Sequence, residues 1–113
     1  MVADPDDAGT DEQDLLVVLR LSNRQMGVQA ERHALEQLAE RLEAAVRDAG
    51  AGAYDGDEIG GGECVLFFCG PDVDALIAVL RPLLQREPLA RGGSFVRLVP
   101  GPDGEPVRER LPL

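Results

Sequence analysis

CVLFFC, residues 64–69, is the most apolar run of the 113-residue chain. Both alternating sets of its side chains are apolar, which is typical of a strand in the middle of a sheet, covered on both faces. A second run, LLVVLRLS at 15–22, has the same character at its start and turns polar at Arg20 and Ser22. We therefore expect two central strands, the first and the third of the fold.

Two helices are predicted between and after these strands. Leu35, Leu38, Leu42 and Val46 recur at helical spacing and predict a helix from about Gln29 to Asp48. A second apolar stripe begins after Gly70-Pro71-Asp72, which suit a helix start. Because proline has no backbone N–H, we expect Pro82 to kink or end this helix near Arg81.

The remaining elements complete an alternation of strands and helices. A short strand near residues 51–55 leads into a glycine-rich, acidic hairpin loop that reaches Glu63, and SFVRLV at 94–99 is another strand. Residues 107–111, VRERL, place three charged residues between apolar Val107 and Leu111 and predict a possible fifth, short edge strand. The order βαββαβ predicts an α+β fold, the ferredoxin-like split βαβ plait: an antiparallel sheet with two helices on one face. We expect the second and fourth strands at its edges.

Composition and charge indicate one domain and limit its partners. Residues 1–13 are acidic and aperiodic and predict a disordered leader before a single domain at 14–113. The chain has 11 basic and 21 acidic residues, a net charge of −10, which argues against nucleic acids and anionic membranes as partners. It has no apolar run long enough for a membrane span and no basic signal-peptide start, so we expect a cytoplasmic location.

The glycine-rich acidic run before the third strand is similar to one found in other proteins. The run DGDEIGGGE, Asp55 to Glu63, followed after an apolar strand by Gly70-Pro71-Asp72, resembles a family of small bacterial proteins that has no characterised activity. The resemblance covers roughly residues 14–111. It implies the plait fold and brings no catalytic residue, substrate or cofactor.

The polar residues do not form a recognisable catalytic or metal-binding pattern. An EF-hand frame from Asp55 fails, since its fifth position is Ile59 and its twelfth is Leu66. Gly60-Gly61-Gly62 links two strands amid carboxylates, which is unsuitable for a phosphate loop. His33, the single histidine, has no nucleophile in a known motif beside it. We therefore predict no enzyme activity, no metal and no cofactor.

The two cysteines are expected to remain apart. Cys64 and Cys69 are separated by an odd number of strand positions, so they lie on opposite faces and about 17 Å apart at ~3.3 Å per residue. A disulfide needs Cα atoms within about 7 Å. They are expected to be small hydrophobic residues in a reducing compartment.

The sheet face without helices is the most informative feature for function. Both central strands supply apolar side chains to each face, and a contiguous apolar patch usually marks a partner surface. We predict a homodimer, with interface residues Leu16, Val18, Arg20 and Phe67. The C-terminal segment as a cover for this face is the alternative within one chain. Two alternative functions are an acidic inhibitor or immunity-type protein that masks a basic enzyme, and a small-molecule sensor like the ACT domains.

Deleting residues 1–12 should leave the melting temperature almost unchanged, because Met1 and Val2 are the only large apolar side chains that this segment could add to a core. Thermal unfolding of the full and the truncated chain, followed by circular dichroism, makes the comparison. A loss of several degrees would contradict the prediction of a disordered leader.

Overall fold

The computed structural model describes residues 13–21, 29–100 and 102–113. The α+β fold predicted from the sequence is confirmed, with the fifth strand present. The elements, in chain order, are β1 (Gln13–Arg20), α1 (Gln29–Asp48), β2 (Ala53–Gly60), β3 (Glu63–Gly70), α2 (Val73–Gln85), a short 3-10 helix (Pro88–Ala90), β4 (Ser94–Pro100) and β5 (Pro106–Pro112). Strand β1 begins one residue before the predicted domain start, and the rest of the predicted leader lies outside the described residues.

The five strands form one open antiparallel sheet in the order β2-β3-β1-β4-β5. The two most apolar strands, β1 and β3, lie side by side in its interior, as predicted. The expectation that β4 is an edge is wrong, because β5 pairs along its outer side from Ser94 and Pro112 to Pro100 and Pro106. The order of the first four strands, β2-β3-β1-β4, is that of the predicted ferredoxin-like plait.

Both helices pack on the same face of the sheet and enclose the main core there. The strands contribute alternate residues to this core, and the helices contribute their predicted apolar stripes. The largest side chains that are fully buried include Leu15, Phe68, Phe95, Leu42 and Leu80. We call this side of the sheet the helix face, and the opposite side the open face.

Strand β2 is longer than predicted, since it extends from Ala53 to Gly60 through residues expected to form a loop. Only Gly61 and Gly62, both with positive φ, form the turn, as a two-residue hairpin requires. A bulge between Tyr54 and Gly56 shifts the register. The partly buried side chains of Tyr54 and Ile59 thereby both pack against the core, which holds this glycine-rich segment in the sheet.

Helix α2 continues through Pro82 to Gln85, so the predicted end near Arg81 is wrong. Pro82 removes one hydrogen bond to the carbonyl of Ala78, and both residues are exposed, so water can reach that carbonyl. Leu84, which is buried in the core one residue before the end of the helix, anchors the last turn. At the start, Asp72 accepts a hydrogen bond from the Asp74 amide, and Gln13 Oε1 accepts one from the Val73 amide at 3.1 Å.

The glycine of the Gly70-Pro71-Asp72 sequence lies where the backbone leaves no room for a side chain. A Cβ atom on Gly70 would lie 2.2 Å from the carbonyl oxygen of Ala51, and one on Gly52 would lie 2.0 Å from that of Cys69. The end of β3 therefore passes the loop after α1 at a distance that only glycine permits.

We predict that Gly70→Ala lowers the free energy of unfolding by about 2 kcal/mol, because the added methyl group meets a backbone carbonyl that cannot move alone. Gly60→Ala is the matched control, since a Cβ atom there has no neighbour within 4 Å. Urea denaturation of both variants measures the effect, and equal losses at the two positions would contradict the steric explanation.

Candidate interaction surface

The open face carries a second, smaller apolar cluster that is separate from the main core. Leu16, Val18 and Val96 are its buried members, and Val65 and Phe67 pack against them. Leu16 lies between Phe67 on β3 and Val96 on β4, and Val18 lies opposite Val65. We call these five residues the open-face patch. It is continuous across three neighbouring strands.

All four residues predicted for an interface lie on the open face. Leu16, Val18 and Phe67 belong to the patch, whereas Arg20 is exposed at the end of β1, opposite Glu63. Arg20 therefore lies at the rim of the apolar surface. That these residues form an interface stays a prediction.

The centre of the patch is less exposed than expected for a sheet face that neither α1 nor α2 covers. Leu16 is 7% exposed, Val18 8% and Val96 4%. Side chains on a pleated sheet shield one another laterally, most strongly on inner strands that have neighbours on both sides. Val65 and Phe67 are half-buried, so they present more of their apolar surface to solvent.

Val96 was missed by the sequence reasoning, which placed β4 at an edge. The signal was present in SFVRLV, where Val96 and Leu98 alternate with Phe95 and Arg97. The alternative cover, the C-terminal segment, is wrong. Because β5 pairs with the outer side of β4, it widens the sheet instead of lying across the open face.

The acidic run after residue 54 does not gather its carboxylates at one place. The hydroxyl group of Tyr54 donates a hydrogen bond to Asp57 Oδ2 at 2.7 Å, whereas Glu58 lies opposite Val65 on the open face. Because successive side chains of a strand point to opposite faces of the sheet, Asp57 and Glu58 lie on different faces. In the described part of the chain, no three His, Cys, Asp or Glu side chains group as a metal site would require. The solvated loop predicted at 55–63 is wrong for the residues that β2 contains.

Ion pairs join the elements on and around the helix face. Arg97 on β4 bonds to Glu109 on β5, and its Nη1 atom lies 3.2 Å from Asp74 on α2. Arg41 on α1 lies 2.7 Å from Glu87, whose other carboxylate oxygen accepts a hydrogen bond from the Leu89 amide. These pairs connect β5 to β4 and α2, and α1 to the segment after α2.

Three described groups with catalytic potential, His33, Cys64 and Tyr54, differ in their surroundings. His33 lies on α1 with its side chain 71% exposed and its Nδ1 atom 3.9 Å from Glu36, as expected for a surface histidine. Cys64 is buried on the helix face beside a small cavity of about 90 Å³ that Arg32 and Asp57 also line. Burial, with a smaller effect of the Asp57 charge, raises the pKa of the Cys64 thiol to about 11. Burial and the hydrogen bond to Asp57 also raise the pKa of Tyr54.

The two cysteines lie on opposite faces, as the odd spacing predicts. Cys64 pairs with Leu19 toward the helices, and Cys69 is opposite Asp14 on the open face. The two thiols therefore do not bridge each other.

Comparisons with known proteins found no relative that could indicate a role for this surface. No protein-family model, no curated protein and no solved structure matches this sequence or fold. Neither of the described helices combines the length and the apolar character that crossing a membrane requires. The resemblance to small bacterial proteins through DGDEIGGGE stays a prediction.

We predict that Cys64 resists alkylation in the folded protein. With a pKa of about 11, roughly one thiol in a thousand is ionised at pH 8, and the side chain is buried as well. The variant Cys69→Ser isolates this thiol, and iodoacetamide labelling before and after unfolding in urea measures its reactivity. Labelling at the same rate in both states would contradict the buried, neutral thiol.

Proposed function

We propose that this chain is a small binding module that acts through protein–protein contacts and self-associates through its open face. The observation that carries the proposal is the open-face patch, because it is apolar, continuous over β3, β1 and β4, and opposite both helices. A two-fold dimer that joins like patches is the commonest assembly of a small soluble chain.

The size of the open face is compatible with a dimer of modest stability. Five strands spaced about 4.8 Å apart and seven or eight residues long span roughly 24 by 25 Å, or about 600 Å². Two such faces bury about 1,200 Å² in total, which is the lower end of stable protein interfaces. We therefore expect association in the micromolar range.

The location of the charges supports self-association over the masking of a basic enzyme. An inhibitor of that kind would present acids across its contact surface to complement a positive active site. Here the middle of the open face is apolar, and Glu58 lies on the edge strand β2. A sensor of the ACT type would also need a dimer, so the oligomeric state is the first property to measure.

Binding, as opposed to catalysis, is part of the same proposal. His33 is exposed beside Glu36, and Cys64 is buried with a raised pKa, so neither has the environment of an activated base or nucleophile. Two unbridged cysteines suit a reducing cytoplasm.

Sedimentation velocity at micromolar concentrations tests the proposal. We expect the wild-type chain to sediment as a dimer and Val65→Lys to sediment as a monomer, since a charged side chain in the apolar interface loses its solvation. Val65 is half-buried and lies opposite Glu58, so a lysine there is tolerated in the single protomer.

Val107→Lys is the matched control, because Val107 is 47% exposed on β5 and lies outside the patch. It should remain dimeric. A wild-type mass of 12.1 kDa that does not change with concentration would contradict the proposal. So would a dimer that Val65→Lys leaves intact while circular dichroism shows both variants folded.

A further inference from the structure

The two edges of the open face carry opposite charges. Cross-strand partners share a face, so Arg110, opposite Val96, and Arg108, opposite Leu98, both belong to the open face at the β5 edge. Glu58, opposite Val65, belongs to the same face at the β2 edge. The apolar patch lies between them.

The other charges that the strand register assigns to this face lie on β1 and β3 and do not alter this polarity. Arg20 and Glu63 are cross-strand neighbours of opposite sign, and their charges balance. Asp14 lies at the far end of β1, opposite Cys69. The net result is a positive edge, an apolar middle and a negative edge.

The edge charges are not neutralised within the described protomer. Arg97 on the helix face pairs with both Asp74 and Glu109, whereas Arg108, Arg110 and Glu58 form no ion pair with another described residue. Four strand spacings separate β2 from β5, about 19 Å, which exceeds the Debye length at physiological salt. These groups therefore cannot pair with each other inside one chain.

A second copy can bring these charges together in only one of two simple arrangements. When two open faces meet across a two-fold axis that runs across the strands, each edge lies over its own copy, and arginines face arginines. When the axis runs along the strands, the β2 edge of one protomer lies over the β5 edge of its partner. Like charges in an interface are destabilising, so the second arrangement is favoured.

We propose that the dimer axis runs close to the strand direction, so that the β2 edge of each protomer, with Glu58, faces the β5 edge of its partner, with Arg110 and Arg108. Such an axis keeps each residue at its own level along the strands, and Arg110, about 7 Å along the strand from the level of Glu58, is the nearer of the two arginines. This inference rests on the self-association proposed above. It specifies the second copy as the occupant of the open face and places β3 of one protomer over β4 of the other. Aligned packing of this kind, with the sheets about 30° apart, is a common geometry for two twisted sheets.

Reversing the charges at the two edges of the open face tests the proposed direction of the dimer axis. Each dimer contains the proposed contact twice, so Glu58→Arg should raise the dimer dissociation constant about tenfold. The same result is expected for the double variant Arg108→Glu with Arg110→Glu. The triple variant, which carries all three reversals, should return to the wild-type value, because the two facing edges again have opposite charges, with their signs exchanged.

Salt provides a second measurement on the same proteins. At about 1 M NaCl the Debye length falls to about 3 Å, so the differences among wild type, Glu58→Arg and the triple variant should shrink. Glu40→Arg, a substitution at an exposed position of α1 on the opposite side of the sheet, is the control for the same change of net charge.

The outcomes separate the axis from the self-association itself. A wild-type dimer weakened by Glu58→Arg and restored in the triple variant supports the axis. A wild-type dimer with the same dissociation constant in all variants overturns the axis and leaves self-association standing. A wild-type monomer at tens of micromolar overturns both.

Discussion

The right-handedness of crossover connections is the constraint on which the rest of this structure depends. Helix α1 connects β1 to β2, and α2 connects β3 to β4, each across one intervening strand. Because right-twisted strands and right-handed crossovers pack back onto the sheet in one sense, both helices lie on the same face. One face thereby receives both helices and the main core, and the other carries the smaller open-face patch. The close contact between Gly70 and the end of the first crossover belongs to the same arrangement.

Much of the fold could be predicted because its strongest elements are encoded locally. The continuous apolar runs at 15–19 and 64–69 predicted the inner strands, and the helical spacing of apolar residues from Leu35 to Val46 predicted α1. Strand β2 was underestimated because glycines and acids disfavour strands, and its contacts with the core through Tyr54 and Ile59 are tertiary. The passage of α2 through Pro82 also depends on packing, which outweighs the loss of one hydrogen bond.

The candidate surface could be predicted in part. Leu16, Val18 and Phe67 were identified because each belongs to a strand that is apolar on both faces. Arg108 and Arg110 were not connected to them, since the sequence of β5 does not reveal which strand it joins. Once β5 pairs with β4, register alone places both arginines beside the patch. The charge pattern is therefore a property of topology, and composition cannot show it.

Isotope-filtered nuclear Overhauser spectroscopy on an equal mixture of labelled and unlabelled protein tests the central claim most directly, because it detects only contacts between protomers. The proposed dimer would join Val65 and Phe67 of one protomer to Val96 and Leu98 of its partner, since it places β3 over β4. Intermolecular contacts confined to helix-side residues such as the exposed Leu83, with none from the open-face patch, would contradict the account.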